Sequence, residues 1–245
     1  MSIEELERAY QESLEKYNTR VLCIINPGNP TGQVLSKKNI EKIIKFAYEN
    51  RLFIIADEVY QDNVYAEGAK FYSFKSVITS LGEPYSNMEL CSFHSCSKGY
   101  MGECGLRGGY VEVMNMHPVV FAHFKKMISA KLCPTVLGQV VMDCVANPPK
   151  PGEPSYELWI KEKTSILQSL KERAKLVCEE YNAIEGLTCN PVQGAMYAFP
   201  QIKMPKKAID RAKVGGKHII FRLVPQQNLL PKSYFSNFCF KLMLE

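Results

Sequence analysis

The chain has 245 residues, of which 46% are hydrophobic and 22% are charged, so it can bury a core as one large domain or two smaller ones. The net charge is +5, but its basic residues are dispersed without interleaved aromatic residues, which argues against a nucleic-acid partner. No apolar run is long enough to span a membrane, and the acidic, amphipathic N-terminus lacks the features of a signal or transit peptide. Composition therefore predicts a globular protein that binds neither nucleic acid nor membrane.

The nine cysteines are an odd number at irregular spacing without a C-x-x-C motif, which favours a reducing intracellular compartment, cytoplasmic or mitochondrial. Cys91, His94, Cys96 and Cys104 lie close together in sequence. Their spacing matches no zinc pattern, and the first two fall in a predicted strand. We therefore expect no metal site.

The first part of the chain alternates helix and strand. Apolar residues at helical spacing predict an amphipathic helix over residues 3–17. VLCII (21–25) predicts a strand buried on both faces of a parallel sheet, and LFIIAD (52–57) predicts a second. Between them, NPGNPTG (26–32) is an ordered loop and Ser36 is the predicted N-cap of a helix. Four residues form the apolar stripe of that helix: Ile40, Ile43, Ile44 and Ala47.

This order is a βαβ unit, and more elements follow. Two strands and two helices are predicted over residues 89–95, 108–113, 117–131 and 135–146. The proline-rich NPPKPGEP (147–154) is the predicted linker. A long helix is predicted over 155–182 and a strand over 194–200. Apolar positions of that helix include Leu158, Ile166, Leu170 and Val177. We expect a partial, mostly parallel α/β large domain over 1–150 and an incomplete α+β small domain over 151–213.

Polar residues follow the predicted strands where each strand ends. Asp57 ends the second strand, and Tyr60 lies three residues later. Asn29 lies in the loop after the first strand, Ser95 ends the third, and Lys98 lies just beyond it. Because ligands of open α/β sheets bind outside the carboxyl ends of strands, these residues predict one binding site.

The residue types indicate the chemistry of that site. Pyridoxal phosphate requires an amine for a Schiff base, an acid for its pyridine nitrogen and donors for its ring oxygen. Lys98 is the candidate amine and Asp57 the candidate acid, while Tyr60 and Asn29 are candidates for the ring oxygen. An amine displaced by an amino acid can also move a proton between two carbons.

A phosphate needs its own donors, for which Ser95 and Arg107 are the candidates, since a guanidinium binds phosphate with two parallel hydrogen bonds. Each candidate taken alone has a simpler interpretation. Asp57 is also suited to capping a turn, a lone Tyr60 to packing, and Lys98 to an exposed surface. The ordered set favours the cofactor site over these alternatives.

Three segments in this order carry a family resemblance: NPGNPTG, ADEVYQDNVY and SFHSCSKGYMGECGLRGGY. Together they resemble the class I/II aminotransferases of the fold-type I pyridoxal phosphate family. SKGYMGECG and NPVQGAMYAFP are similar to the members of that family that act on alanine. The resemblance implies Lys98 as the Schiff-base lysine and the five other candidates as cofactor contacts.

The resemblance also implies an activity, the transfer of an amino group from L-alanine to 2-oxoglutarate to give pyruvate and L-glutamate, in a homodimer. It covers roughly residues 1–213. The family's earlier phosphate-binding segment and its late arginine for the substrate carboxylate are not matched. Arg222 comes too soon after GAMYAFP to be that arginine. We predict residues 214–245 to be an atypical tail.

Two alternatives remain open at this point. One is a truncated, catalytically inactive isoform that keeps part of the cofactor pocket and pairs with a full-length subunit. The other keeps the fold and changes the reaction, to that of a related aminotransferase or a carbon–sulfur lyase.

Overall fold

The structure is a computed structural model that describes residues 1–207, 209–210 and 239–240, the last pair as backbone only. In this part of the chain the helices are α1 (Ile3–Leu14), α2 (Lys37–Glu49), α3 (Phe74–Leu81), α4 (Pro118–Ser129), α5 (Val136–Ala146) and α6 (Tyr156–Asn182). The strands are β1 (Val21–Ile25), β2 (Phe53–Asp57), β3 (Leu90–Ser95), β4 (Gly109–Met114), β5 (Leu187–Cys189), β6 (Tyr197–Ala198), β7 (Pro200–Ile202) and β8 (Cys239–Phe240).

A four-stranded sheet with the order β1-β2-β3-β4 forms the centre of the first half of the chain. The pairs β1–β2 and β2–β3 are parallel, and β3–β4 is antiparallel. The predicted mostly parallel α/β architecture is therefore confirmed, with one antiparallel strand at its end.

Helices α2 and α3 pack on one face of this sheet. The predicted cap of α2 is confirmed, since the Ser36 side chain accepts a hydrogen bond from the backbone N–H of Asn39 at 3.2 Å. The predicted stripe of α2 is fully buried: Ile40, Ile43, Ile44 and Ala47. The sequence analysis missed α3, which contributes Phe74, Val77 and Ile78 to the same core. Each such side chain stabilises the fold by about 1.5–3 kcal/mol when fully buried.

The prediction that β1 is buried on both faces is wrong. Ile24 is buried against the helices, but Val21 is 48% exposed and Cys23 is exposed. On the same open face, Phe93 of β3 is 39% exposed. The reason is that β1 is the edge strand and the core helices lie on the opposite face of the sheet.

Beyond the sheet, the bounds of α4, α5 and α6 agree with the predicted helices, whereas α1 ends at Leu14 rather than at residue 17. On α6 the predicted apolar position Leu170 is buried, but Leu158 and Ile166 are exposed. The predicted strand over 194–200 is a turn followed by β6 and β7. Within the described residues no helix is both long and apolar enough to cross a membrane.

A second core joins α6 to the strands β5 and β6 that follow it. Leu170 and Ala174 of α6 pack there with Cys189, Val192 and Ala198. The domain limits of 1–150 and 151–213 remain predictions. Most of the predicted tail over 214–245 lies outside the described residues; the β8 backbone within it pairs in parallel with β6.

Candidate active site

The three parallel strands end in one row. Ile25 of β1 lies beside Asp57 of β2, which lies beside Phe93 of β3. The antiparallel β4 begins at the same edge, where Gly109 pairs with Ser95. All six predicted site residues lie at this edge or in the connections next to it: Asn29, Asp57, Tyr60, Ser95, Lys98 and Arg107. This is the edge at which open α/β sheets bind ligands.

Asp57 is half-buried at the end of β2. Its Oδ1 accepts a hydrogen bond from the backbone N–H of Val59 at 3.3 Å. Its backbone carbonyl accepts one from the N–H of Asn26 at 3.0 Å, which ties the loop after β1 to β2. The second carboxylate oxygen accepts no hydrogen bond from the described residues, so an acceptor remains for a cationic ligand.

Tyr60 is buried, with 2% of its surface exposed. Its hydroxyl lies 2.5 Å from the hydroxyl of Tyr197, and the two rings meet edge to face with centroids 5.6 Å apart. The segment around Tyr197 was predicted to be a strand and to carry the family resemblance, but Tyr197 itself was not predicted as a site residue. The only local signal was a tyrosine after a glycine turn, which is too common to identify a site.

Ser95 and Lys98 lie in the connection between β3 and β4. The Ser95 hydroxyl donates to the carbonyl of Gly108 at 3.1 Å and accepts from the N–H of Ser97 at 3.0 Å. Lys98 is exposed, and its side chain forms no hydrogen bond or ion pair with the described residues. Lys98 thus offers an uncommitted amine.

The loop that carries Lys98 packs on the loop that carries Tyr60. Gly99 has a φ of +73°, and a Cβ placed there would lie 3.4 Å from Oδ1 of Asn63. The Oδ1 atom of Asn63 is buried and has no hydrogen-bond partner among the described residues. The two loops are therefore close together at this point.

Asn29 is exposed, and the structure gives its side chain no partner among the described residues. The buried asparagine of the same loop is Asn26, whose Oδ1 accepts from the N–H of Leu35 at 2.9 Å. Its Nδ2 is buried without a partner among the described residues. Asn26 fixes the loop, and Asn29 is left available at its surface.

Arg107 lies at the start of the chain segment that enters β4. Its backbone is left-handed, with a φ of +57°. The guanidinium donates to the carbonyl of Cys104 at 3.2 Å and is exposed. The structure thus places Arg107 at the correct edge but engages its side chain with its own turn.

A buried acid that the sequence analysis missed lies directly after Asp57. Glu58 is 4% exposed; its carboxylate accepts from the N–H of Phe74 at 2.7 Å and from the hydroxyl of Ser92 at 2.5 Å. Burial raises the pKa of Glu58, while these two hydrogen bonds oppose the rise. Glu58 thereby holds the start of the Tyr60 loop against β3 and α3.

His94 is a further buried titratable group near this edge. It is 6% exposed, its Nε2 lies 3.5 Å from the side chain of Gln61, and its Nδ1 has no partner among the described residues. Burial lowers the pKa of His94, because the charged imidazolium is poorly solvated there.

The NPVQGAMYAFP segment interlocks with the first two loops. The N–H groups of Gln193 and Gly194 donate to the carbonyl of Gly32 at 2.9 and 2.8 Å, and the N–H of Ala195 donates to the carbonyl of Asn63 at 3.0 Å. A Cβ on Gly194 would lie only 2.5 Å from that Asn63 oxygen. Only glycine permits this approach, so these separate segments form one structural unit.

These residues fit pyridoxal phosphate by their chemistry. Within the described residues, the amine of Lys98 and one oxygen of Asp57 have no partner, and both residues lie with Tyr60 at one edge of the sheet. Ser95 and Arg107 supply donors suited to a phosphate. No group of three or more metal-ligating side chains is clustered among the described residues.

Comparison with known proteins gives the family. The family description "Aminotransferase class I and II" matches residues 1–221, eight residues further than the predicted resemblance. Alanine aminotransferase 2 of Xenopus laevis is 57% identical over 218 residues, or 89% of this chain. Alanine aminotransferase 1 of Mus musculus and of Homo sapiens are 54% and 51% identical over 217 residues, 88% of this chain.

A solved structure shows the same relationship in three dimensions. Alanine aminotransferase from Pyrococcus furiosus superimposes with a TM-score of 0.65 at 25% identity, covering 80% of this chain and 46% of that one. The chain spans 40–44% of the length of the three curated relatives. Since the family match covers most of its residues, the chain belongs to the class I and II aminotransferase family.

Proposed function

We propose that this chain carries the pyridoxal phosphate site of an enzyme that converts L-alanine and 2-oxoglutarate to pyruvate and L-glutamate. The names of its relatives support alanine as the amino donor, and 2-oxoglutarate is the acceptor that the family resemblance implies. One observation carries the proposal: Lys98 and Asp57, each with a polar side-chain atom that has no partner among the described residues, lie with the buried Tyr60 at one edge of a parallel sheet.

Asp57 would hold the cationic ring nitrogen through the oxygen that has no partner among the described residues. Its tie to Asn26 and Val59 keeps the carboxylate at the strand end. When bound, the cofactor supplies an electron sink for the carbanion formed at the α-carbon of the amino acid. A carboxylate in this place favours the protonated ring and so strengthens that sink.

Tyr60 would donate its hydroxyl to the ring oxygen, with Tyr197 fixing its orientation. Asn29, exposed on the neighbouring loop, would supply a second donor. Ser95 and Arg107 would hold the phosphate, and for Ser95 this requires its hydroxyl proton to turn away from the carbonyl of Gly108. For Arg107 this requires its guanidinium to leave the carbonyl and the Sγ atom of Cys104, two exposed contacts within its own turn.

Lys98 would be the covalent attachment point. Once freed by an amino-acid substrate, its Nζ would hold the proton removed from the α-carbon of that substrate. The glycine that follows Lys98 has a positive φ, which sets the direction in which the chain continues past the Tyr60 loop.

The test is the visible absorption of the 245-residue chain titrated with pyridoxal phosphate. We expect a band that is lost in Lys98→Ala and retained in the control Lys38→Ala, which removes another exposed lysine. L-alanine should bleach the band. A band of equal strength in both variants, or no band in the wild type, would contradict the proposal.

A panel of amino donors and oxo acids separates alanine transamination from related aminotransferases and from a carbon–sulfur lyase.

A second candidate function is that of a non-catalytic partner for another chain of this family. The observation that favours it is an apolar surface on α4, α5 and the connection between them, exposed at Val119 (59%), Val120 (52%), Leu132 (86%), Val136 (72%) and Leu137 (66%). Such a surface marks an interaction site, and a second copy is the occupant that the family's homodimers suggest. Sedimentation of the purified chain, alone and mixed with a full-length aminotransferase of this family, tests this, since a monomer in both samples would argue against a pairing role.

A further inference from the structure

One lysine of the long helix α6 reaches the loops of the candidate site. The Nζ of Lys163 lies 2.7 Å from Oδ1 of Asp62 and 4.6 Å from the ring centroid of Tyr100. It also lies 5.4 Å from the ring centroid of Trp159, the single tryptophan of the chain. One cation therefore contacts three side chains from three segments.

The positions of two of these partners relate the cation to the site. Asp62 lies two residues after Tyr60 in the loop that follows β2, 101 residues before Lys163. Tyr100 lies two residues after Lys98 in the loop that follows β3. Lys163 thus contacts the loop of the candidate ring-oxygen donor and the loop of the candidate anchor at the same time.

Burial distinguishes this ion pair from others in the chain. The side chains of Lys163 and Asp62 are 22% and 25% exposed. On the same helix, Lys175 and Glu179 are 77% and 59% exposed, and their charged atoms lie 3.7 Å apart. An exposed ion pair such as Lys175–Glu179 contributes little to stability. The pair Lys163–Asp62 contributes more, because it is partly desolvated and its cation also contacts aromatic rings.

We propose that Lys163 is a positioning residue that holds the loop over residues 58–64 against the loop over residues 96–102. It fixes the placement of the Lys98 amine relative to Tyr60 and Asp57. This role rests on the proposed function, since it concerns the same cofactor site. It also makes the position of α6 part of the site, although no side chain of α6 belongs to the predicted cofactor contacts.

The test compares three variants. Lys163→Met keeps an apolar stem and removes the charge, whereas Lys163→Arg keeps a cation. Lys175→Met is the matched control on the same helix. Amide hydrogen exchange is measured first, on the chain without cofactor. We expect protection to fall in both loops in Lys163→Met and to stay near wild type in the other two variants. A loss of exchange protection that is confined to α6 in Lys163→Met would overturn the proposal.

The second readout is the affinity for pyridoxal phosphate through the Lys98-dependent band. We expect Lys163→Met to weaken it about tenfold, because a displaced amine meets the cofactor in the wrong geometry. Lys163→Arg should recover most of that loss. An unchanged affinity in Lys163→Met, or a variant Lys163→Arg as weak as Lys163→Met, would overturn the positioning role.

Asp62→Asn removes the other half of the ion pair and serves as an independent variant. If Lys163 acts through Asp62, the combined variant should be little worse than either single one, and additive losses would contradict the mechanism. Exchange is read without cofactor, so it tests the coupling of the loops even if no Lys98-dependent band appears. The absence of that band would refute the proposed function, independently of the exchange result.

Discussion

The core under the sheet and the carboxyl edge of the same strands are built from different kinds of residue. The core contains aliphatic and aromatic side chains that are fully buried, such as Ile43, Ile54 and Phe74. The edge contains hydroxyl groups, carboxylates and close backbone contacts, such as the pair formed by Tyr60 and Tyr197. Both regions are built around β1, β2 and β3, with the helices α2 and α3 completing the core and the loops after the strands completing the edge.

The difference lies in how each region depends on geometry. Apolar burial has no direction, so the core needs the right volume and tolerates many arrangements. Hydrogen bonds and glycine contacts at the edge depend on distances within a few tenths of an ångström. We therefore expect changes in the core to act on stability and changes at the edge to act on cofactor binding.

The largest effect is expected from Phe74→Ala. This side chain is fully buried, and its loss should lower the free energy of unfolding by about 3–5 kcal/mol, measured by urea denaturation. Phe74→Leu should lose less because it leaves a smaller cavity. In the fraction that stays folded, the affinity for pyridoxal phosphate should be unchanged; a clear loss of affinity would show that core and edge are not separable.

Gly32→Ala should affect both regions. Gly32 has a φ of +66°, and a Cβ there would lie 2.8 Å from the carbonyl oxygen of Tyr197. We expect a loss of about 1–3 kcal/mol in the free energy of unfolding and weaker cofactor binding as β6 shifts. Gly68→Ala is the control, since Gly68 has a φ of +74° but open space around it. Equal behaviour of the two variants would mean that backbone strain alone, and not the contact, matters.

Tyr197→Phe should have a smaller effect, because it removes one hydroxyl group from the pair with Tyr60. We expect a loss of about 0.5–1.5 kcal/mol in the free energy of unfolding. Tyr60→Phe should cost about as much but weaken cofactor binding more, since its hydroxyl is the proposed donor. In a double-mutant cycle the two losses should be less than additive, and strict additivity would show that the hydroxyl pair contributes nothing.

Glu58→Gln should have the smallest effect and one that depends on pH. Burial raises the pKa of Glu58 above its ordinary value of 4.5, so the folded state holds the proton more tightly than the unfolded state. This tighter proton binding stabilises the folded wild type below pH 4.5, and the contribution is lost as the pH rises through the folded-state pKa.

Gln cannot ionise, so the free energy of unfolding of Glu58→Gln, taken relative to the wild type, should be higher at neutral pH than at acid pH. We expect this change to be about 1 kcal/mol or less. Urea denaturation at a series of pH values measures this. His94 is present in both proteins, so its own titration largely cancels in the difference. A constant difference across the pH range would show that Glu58 is not the group that titrates.

The sequence predicted that the residues after the strand ends share one edge, and the structure confirms this position for a simple reason. Parallel strands bring their carboxyl ends together, so Asp57 and Lys98, which follow β2 and β3, share an edge whatever the details of packing. The cap at Ser36 and the stripe of α2 are equally local, and both are confirmed.

The residues that the sequence missed have distant partners. Tyr197 contacts Tyr60 across 137 residues, and Lys163 contacts Asp62 across 101 residues. A tyrosine or a lysine carries no local sign of such a contact. The open face of β1 was missed for a related reason, since an apolar run indicates that a strand can be buried but not whether helices lie on both of its faces.

Two things about this protein were fixed by the sequence alone: the alternation of helices and strands, and the chemical types that line the edge. Both follow from periodicity and from chain order, which act over a few residues. The tertiary structure alone decided which side chains fix that edge in place. It brought Tyr197 and Lys163 to this edge and gave Glu58 its partners Phe74 and Ser92, because contacts between distant segments depend on how the elements pack and not on the residues next to them.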